Sequence, residues 1–475
     1  MSRKSMKHRG DEASVRLMIG PVLLVLGLMA ITAGSLNAQN NGANWPNFGQ
    51  NASNTAYNPS ENTLSTKNVY QLKAKWTYTT SGDVSARAAV VNGIVYFPDW
   101  GGNITAVNAS SGKMMWAHQL TDYLGLSPTG GAIHSRTSPA VVDGVLYLGT
   151  QEEAQLLAIN ASTGSLLWHI ALGNGDPYAI VTTSPVVSNG VVYTGVASVV
   201  EGGSIFGYNI SSSSSRGSVV AVNASTRAVS WQTYTIPTGY YGGGVWGSNP
   251  VIDTARNTLY IGTGHNYLNP QSSAESSVGE ESFGECISAG GSPASCNSPN
   301  DHEDSILALD LTTGAIKWSL RLVNWSVSPY DAAYASGSDD WNVDCAFGGP
   351  QCPDTDAGDP GPDFDFGSAP NEITYQTANG SKTIIGAGQK SGIYYALDPD
   401  TGNVLWETAV GPGSSLGGME WGSASDGKRI YVAIANLYGI PYGAGNAGSC
   451  LHSIPPRERF CGRRRIPMGR LTSGL

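Results

Sequence analysis

The chain has 475 residues, of which 61 are Gly and only 13% are charged; an average soluble protein carries about 25% charged residues and about 7% Gly. That deficit excludes coiled coils and long solvent-laced helices, which need Glu, Lys and Arg. A hydrophobic content of 40% excludes a disordered chain, and a net charge of −10 leaves no basic footprint for nucleic acid.

The first 38 residues stand outside the fold. Lys4, Lys7, His8, Arg9 and Arg16 make a basic start, Leu17 to Ala33 an apolar stretch, and Leu36-Asn37-Ala38 a small-residue cleavage site. This pattern predicts a secretory signal peptide over 1–38. An uncleaved membrane anchor is the alternative. No Cys lies near the cleavage site, so no lipid anchor is expected. The mature chain is expected in a bacterial periplasm or secreted, with no membrane contact after cleavage. Six Cys suit an oxidising compartment. Cys286 and Cys296, and Cys345 and Cys352, each flank one loop and could close local disulfides. Cys450 and Cys461 lie in the tail. No Cys-x-x-Cys-His occurs, so no covalent haem is expected.

Next come hairpins. AAVVNGIVYFPD (Ala88 to Asp99), SPAVVDGVLYLGT (Ser138 to Thr150) and SPVVSNGVVYTGV (Ser184 to Val196) each centre on Asn-Gly or Asp-Gly. That dipeptide between apolar runs is the strongest short hairpin signal. A second unit follows: ITAVNASSGKMMW to Trp116, LLAINASTGSLLW to Trp168, VVAVNASTRAVSW to Trp231, ILALDLTTGAIKW to Trp318 and YYALDPDTGNVLW to Trp406. Asn or Asp opens its turn by bonding the backbone two residues on, and Gly supplies a positive φ. Arg227 replaces that Gly in the third copy, so a looser turn is expected there. The closing Trp reads as a docking side chain between units.

Two hairpins make a four-stranded unit, and radial repetition of such units makes an all-β β-propeller. From Trp76 the Trp spacings grow from 40 and 52 to 63, 87 and 88 residues. The added length falls in Tyr267 to Asp304 and Ser328 to Pro370, read as long loops on one face, where binding concentrates.

The A-x-(N/D)-x-x-(T/S)-G-x-x-x-W unit resembles the repeat of quinoprotein dehydrogenases that bind pyrroloquinoline quinone. The resemblance covers most of 42–449 and starts with an entry strand, NWPNFGQNASNTAYNP (Asn44 to Pro59). YFPDWGGNITAVN and GPDFDFGSAP look most like the polyvinyl-alcohol dehydrogenases of that family. Cofactor-free scaffolding propellers share the repeat, so the other residues must decide the chemistry.

The resemblance implies a set of roles. Glu201 in GVASVVEGG and Asn266 in LYIGTGHNYLNP match calcium ligands; His265 precedes the Asn, and His is a poor calcium ligand. Trp246 in GGGVWGSNP matches the Trp that stacks on the flat quinone, and Lys390 in GQKSG the cation at its oxygens. Asp363 and Asp365 in PDFDFG are the alternatives for the general base that takes the alcohol proton, with Asp365 also a metal ligand. Thr183, Arg136 and Trp421 match further cofactor contacts more loosely. A solvated loop Glu, a core Trp, a strand-end Asn, a hairpin Lys and an unpartnered acidic loop are the corresponding bland readings. The family's acid before the first hairpin is absent: the stretch here is SARAAVV with Arg87. The adjacent-Cys pair of methanol-type enzymes is also absent.

The tail CLHSIPPRERFCGRRRIPMGRLTSGL has six Arg in 26 residues and no repeat. Codons can be chosen so that reading from the third base of Leu451 gives AFDPATGKVLWQTADPNG, a further repeat unit. A frameshift near Ser449 is therefore expected, with 39–449 the propeller and 450–475 aberrant. The family's wheel is eight-bladed, so this one is expected to lack its C-terminal end. The functional expectation is an alcohol dehydrogenase using pyrroloquinoline quinone and Ca2+ and passing electrons to cytochrome c. The alternatives are a cofactor-free assembly scaffold or an inactive truncated quinoprotein.

Overall fold

In a computed structural model, the structure describes residues 44–125, 131–199, 215–238, 241–247, 249–268, 300–322, 365–411, 418–435, 441–442, 445–446 and 450–453. The signal segment, Glu201, Asp363 and five of the six Cys lie outside these residues. No helix among the described residues is long and apolar enough to cross a membrane.

The described chain is nearly all β. Five antiparallel blades follow in order, each with a four-stranded path, and the third gains a fifth short strand, Ala179–Ile180, beside Val191–Ser198. Blade I comprises Ala89–Val91, Ile94–Pro98, Asn103–Asn108 and Met114–Gln119. Blade II comprises Ala140–Val142, Val145–Gly149, Gln155–Asn160 and Leu166–Ala171. Blade III comprises Val186–Ser188, Val191–Ser198, Ser218–Asn223 and Val229–Tyr234. Blade IV comprises Val251–Asp253, Thr258–Gly262, Ser305–Asp310 and Ile316–Arg321. Blade V comprises Asn371–Thr377, Gly380–Gly388, Ile393–Leu397 and Val404–Ala409. A sixth sheet joins Ala424–Ser425, Arg429–Val432 and Cys450–Ser453.

Local chemistry builds each blade. Asn92-Gly93, Asp143-Gly144 and Asn189-Gly190 all sit at positive φ, as a type I′ hairpin turn requires. In the second turn the Asn108 carboxamide oxygen accepts from the N–H of Ser110 and Ser111 at 3.0 and 3.1 Å. Asn160, Asn223, Asp310 and Asp398 repeat this. A β-bulge follows the repeat Ala in every blade, at Ala106, Ala158, Ala221, Ala308 and Ala396.

The core lies between blades rather than within them. One apolar layer joins blade I to II, the next II to III, and so on round the wheel. The Trp residues pin these junctions. The indole N–H of Trp76, Trp116, Trp231 and Trp318 donates to Ala109, Ala161, Leu311 and Pro399 carbonyls at 2.9–3.1 Å. A Cβ on Gly112, Gly314 or Gly402 would lie within 2.6–2.7 Å of the docked ring, so this Gly serves packing as well as the turn.

The expected loosening at Arg227 is not found. Its N–H donates to Asn223 O at 2.8 Å, as Gly112 does to Asn108 O, and its φ of 64° matches the glycines. The Asn223 side chain fixes this turn whatever residue follows. The difference falls on the junction: among the described residues Trp168 makes no docking bond, and the turn it meets carries a Cβ at 227.

The entry segment, residues 45–55, runs across the innermost strands. Trp45 pairs with Val90, while Pro46 O, Ala52 O, Ser53 O and Thr55 O accept from Val141, Ile252, Glu372 and Ser425 at 2.8–2.9 Å. One short segment thereby ties blades I, II, IV, V and the sixth sheet. Asn54 is its pin: its amide donates to Asn249 O, Pro250 O and Pro370 O, and its side-chain oxygen accepts from Asn249. The inner strands start at the candidate site and end at this hub.

Candidate active site

Three side chains from two neighbouring blades meet at the site end of the inner strands. Trp246 precedes blade IV, Asp365 precedes blade V, and Lys390 lies in the turn after Gly380–Gly388. Glycines let them approach. A Cβ on Gly367 would lie 2.7 Å from the Trp246 ring, and one on Gly247 would lie 2.4 Å from Gly367 O. The Thr182 hydroxyl donates to Trp246 O at 2.9 Å and fixes its backbone.

Asp365 is fully buried and held by four donors. Its Oδ2 accepts from Trp246 Nε1 at 2.7 Å and pairs with Lys390 Nζ at 3.1 Å. Its Oδ1 accepts from His265 N at 2.8 Å and lies 2.9 Å from His265 Nδ1. Burial alone pushes this carboxyl up, but the Lys390 charge and then His265 overcome it and hold it well below the usual carboxylate range. Asp365 is therefore an ionised carboxylate in a dry setting. Lys390 is only 2% exposed and its ammonium also sits 5.1 Å from the Trp246 ring centroid. It is a buried ion-pair partner, not a surface hairpin Lys.

Trp421 stands edge-on to Trp246, with centroids 5.7 Å apart and planes at 81°. The Arg136 guanidinium lies 4.4 Å over the Trp421 ring. Thr183 is buried and spends its hydroxyl on Val245 O at 2.5 Å; its neighbour Thr182 lines the adjoining cavity instead. Asn266 opens the short strand Asn266–Leu268, which pairs with Tyr241–Gly242. The structure thus brings Trp246, Lys390, Asp365, Trp421 and Arg136 together, with Thr183 behind them. His265 joins them, although metal-ligand reasoning set it aside. Its place at the end of a strand with an all-apolar interior was the available signal.

The arrangement suits a flat, anionic, aromatic ligand: indole faces to stack on, two cations for its oxygens, and one carboxylate to take a proton. Calcium needs six to eight oxygen ligands. The described residues contribute the Asp365 carboxylate, and no group of three or more acids, His or Cys among them is arranged to hold a metal.

A family model described as outer membrane protein assembly factor BamB matches residues 55–320, more than half of the chain. The chain is 26% identical over 413 residues to a polyvinylalcohol dehydrogenase of a Pseudomonas species, covering 83% of this chain and 55% of that one. It is 27% identical over 390 residues to one from Sphingopyxis sp. (strain 113P3), covering 79% and 52%. The chain spans about half the length of these curated relatives. Among solved structures, a quinohemoprotein alcohol dehydrogenase from Comamonas testosteroni superposes with a TM-score of 0.57 at 17% identity, covering 88% of this chain and 64% of that one. A europium-containing methanol dehydrogenase gives 0.58 at 17%, covering 86% and 73%. Blade repeat, docking Trp residues and these likenesses agree: the chain belongs to the quinoprotein alcohol dehydrogenase-like family of β-propellers.

Proposed function

We propose that this chain is a periplasmic oxidoreductase that oxidises an alcohol, polyvinyl alcohol or another secondary alcohol, with pyrroloquinoline quinone as its cofactor. The observation that carries the reading is the buried Asp365–Lys390 pair beside the half-buried Trp246 at the propeller axis. A scaffold gains nothing from a fully desolvated ion pair, which costs more than apolar packing of the same volume.

Trp246 is the floor on which the planar cofactor stacks. Trp421 and Arg136 hold its edge, Arg136 as a partner for a carboxylate. Lys390 meets the oxygens that become negative on reduction. When bound, the quinone supplies the two-electron acceptor for the hydride leaving the alcohol carbon. Asp365 takes the hydroxyl proton as that hydride leaves. With the Lys390 charge shared between the carboxylate and a bound cofactor, Asp365 would be a stronger base than in the free chain. His265, on the other carboxylate oxygen, keeps the base oriented. Calcium held by Glu201, Asn266 and Asp365 is part of the same reading, as is cytochrome c as electron acceptor.

Reconstitution of the mature chain with the quinone and Ca2+ tests this. Stoichiometric quinone binding, with dye-linked oxidation of polyvinyl alcohol or a small secondary alcohol, is expected. A chain that binds no quinone is not this enzyme.

A further inference from the structure

A cavity of about 310 Å³ opens beside Trp421 on the propeller axis, toward Phe48 of the hub. Its wall carries two guanidiniums, Arg87 and Arg136, and the side chains of Ser138, Thr182 and Ser184; none of the described residues that line it is acidic. Arg87 stands where blades II and III carry Ser138 and Ser184, so one blade replaces a hydroxyl with a cation.

The donors are set by the inner strands. Arg87 N donates to Ser138 Oγ at 2.9 Å, and Ser138 N donates to Ser184 Oγ at 3.0 Å. Each hydroxyl oxygen is thus already an acceptor, and each O–H remains to donate. Both serines are at least nine-tenths buried. The Arg87 guanidinium lies 4.4 Å over the Phe48 ring and gives one N–H to Phe48 O at 2.6 Å. A guanidinium has five N–H donors in a rigid plane. Among the described residues no carboxylate pairs with Arg87. The Arg87 side chain is exposed at the mouth of the cavity, and partial shielding of its guanidinium by the cavity wall pushes its pKa down from the ordinary value.

We propose that this axial cavity is a binding site for an oxyanion, a carboxylate or phosphate group held by Arg87 and the hydroxyls of Ser138 and Ser184. The group comes from one of two sources: a carboxylate arm of the cofactor proposed above, or a free anion in solution. Only the first source rests on the proposed function.

Calorimetric titration of the full chain with inorganic phosphate, without quinone and at fixed ionic strength, tests the free-anion source. Saturable binding at one site is expected. Arg87→Gln should weaken it about tenfold or more, because hydrogen bonds to a charged group are the strong ones. Arg87→Lys should retain part of it. If Arg87→Gln does not fold, as judged by circular dichroism, Ser184→Ala carries the test with a several-fold loss. The second arm titrates the quinone by tryptophan quenching, with and without saturating phosphate, in wild type and Arg87→Gln. Phosphate competition, or an affinity loss in Arg87→Gln without phosphate binding, assigns the cavity to a cofactor carboxylate. Phosphate binding without competition assigns it to a free anion. Phosphate binding in a chain that binds no quinone upholds the cavity and removes the cofactor reading. Quinone binding that ignores Arg87, with no phosphate binding, overturns the cavity and leaves the cofactor reading standing.

Discussion

Lys390→Met leaves a carboxylate buried without its cation. Asp365 keeps the Trp246 and His265 bonds but loses the ammonium 3.1 Å from Oδ2. Removing one partner of a buried pair costs about 3–5 kcal/mol, because the remaining charge has no compensation. That is a large share of the stability of any native protein. The pH dependence follows from the direction of the Asp365 shift. In the wild type its folded pKa lies below the unfolded value, so its stabilisation is complete above the ordinary carboxylate range. It is lost only as pH falls toward the folded value. In the variant the Lys390 charge is gone and burial raises the folded pKa above the unfolded one. The variant then takes up a proton as pH falls, and a neutral carboxyl is cheaper to bury. Urea unfolding followed by tryptophan fluorescence at pH 7.5 and pH 5 measures both curves. The penalty should be smaller at pH 5 than at pH 7.5, because the variant's carboxyl takes up a proton that the wild type's does not. Adding Asp365→Asn removes the buried charge and should restore part of the loss at pH 7.5, the rest being kept because one side of the amide then sets an NH2 against the Trp246 or His265 N–H donor. A penalty below about 1 kcal/mol, or one equal at both pH values, refutes the buried-pair account.

Two other substitutions test the scaffold. Asn54→Ala removes three hydrogen bonds at the hub, orphans the Asn249 amide and puts Ala at a φ of 53°. It should cost about 2–4 kcal/mol in urea unfolding, and Asn54→Gly about 1 kcal/mol less because only the φ strain is relieved. Arg227→Gly should stabilise by about 1 kcal/mol, since the left-handed conformation is strained for every L-residue but not for Gly; an unchanged urea midpoint shows the Asn223 cap already absorbs the strain.

The blades were legible because their signals are local. Asn-Gly sets a hairpin within four residues, and an Asn or Asp side chain caps the next turn within three. Trp at a fixed place then fixes the junction between neighbours. The Arg227 expectation failed for the same reason: it weighed the residue at the positive φ and overlooked the Asn223 cap that holds the turn. The hub was read only as an entry strand. Nothing local tells that a segment of eleven residues will bond to five sheets, because its partners lie up to 370 residues away in sequence.

The site was legible only through resemblance, and the geometry explains why. Trp246 and Asp365 are 119 residues apart, and His265 and Asp365 are 100 apart. No spacing or periodicity links them. Judged singly, each has an ordinary reading: a core Trp, a hairpin Lys, a loop Asp, a strand-end His. Only their meeting changes the reading, because the cost of burial is collective. A charge-poor chain has every opportunity to keep its axis apolar. This one instead buries an ionised carboxylate, a lysine and a histidine at one point, with glycines at 247 and 367 clearing the space. Apolar side chains of the same volume would serve folding as well or better. The chemistry is therefore assigned to the group the scaffold needs least: removing one partner should lower stability and activity together, whereas replacing the whole group by apolar side chains of similar volume should keep the fold and abolish activity.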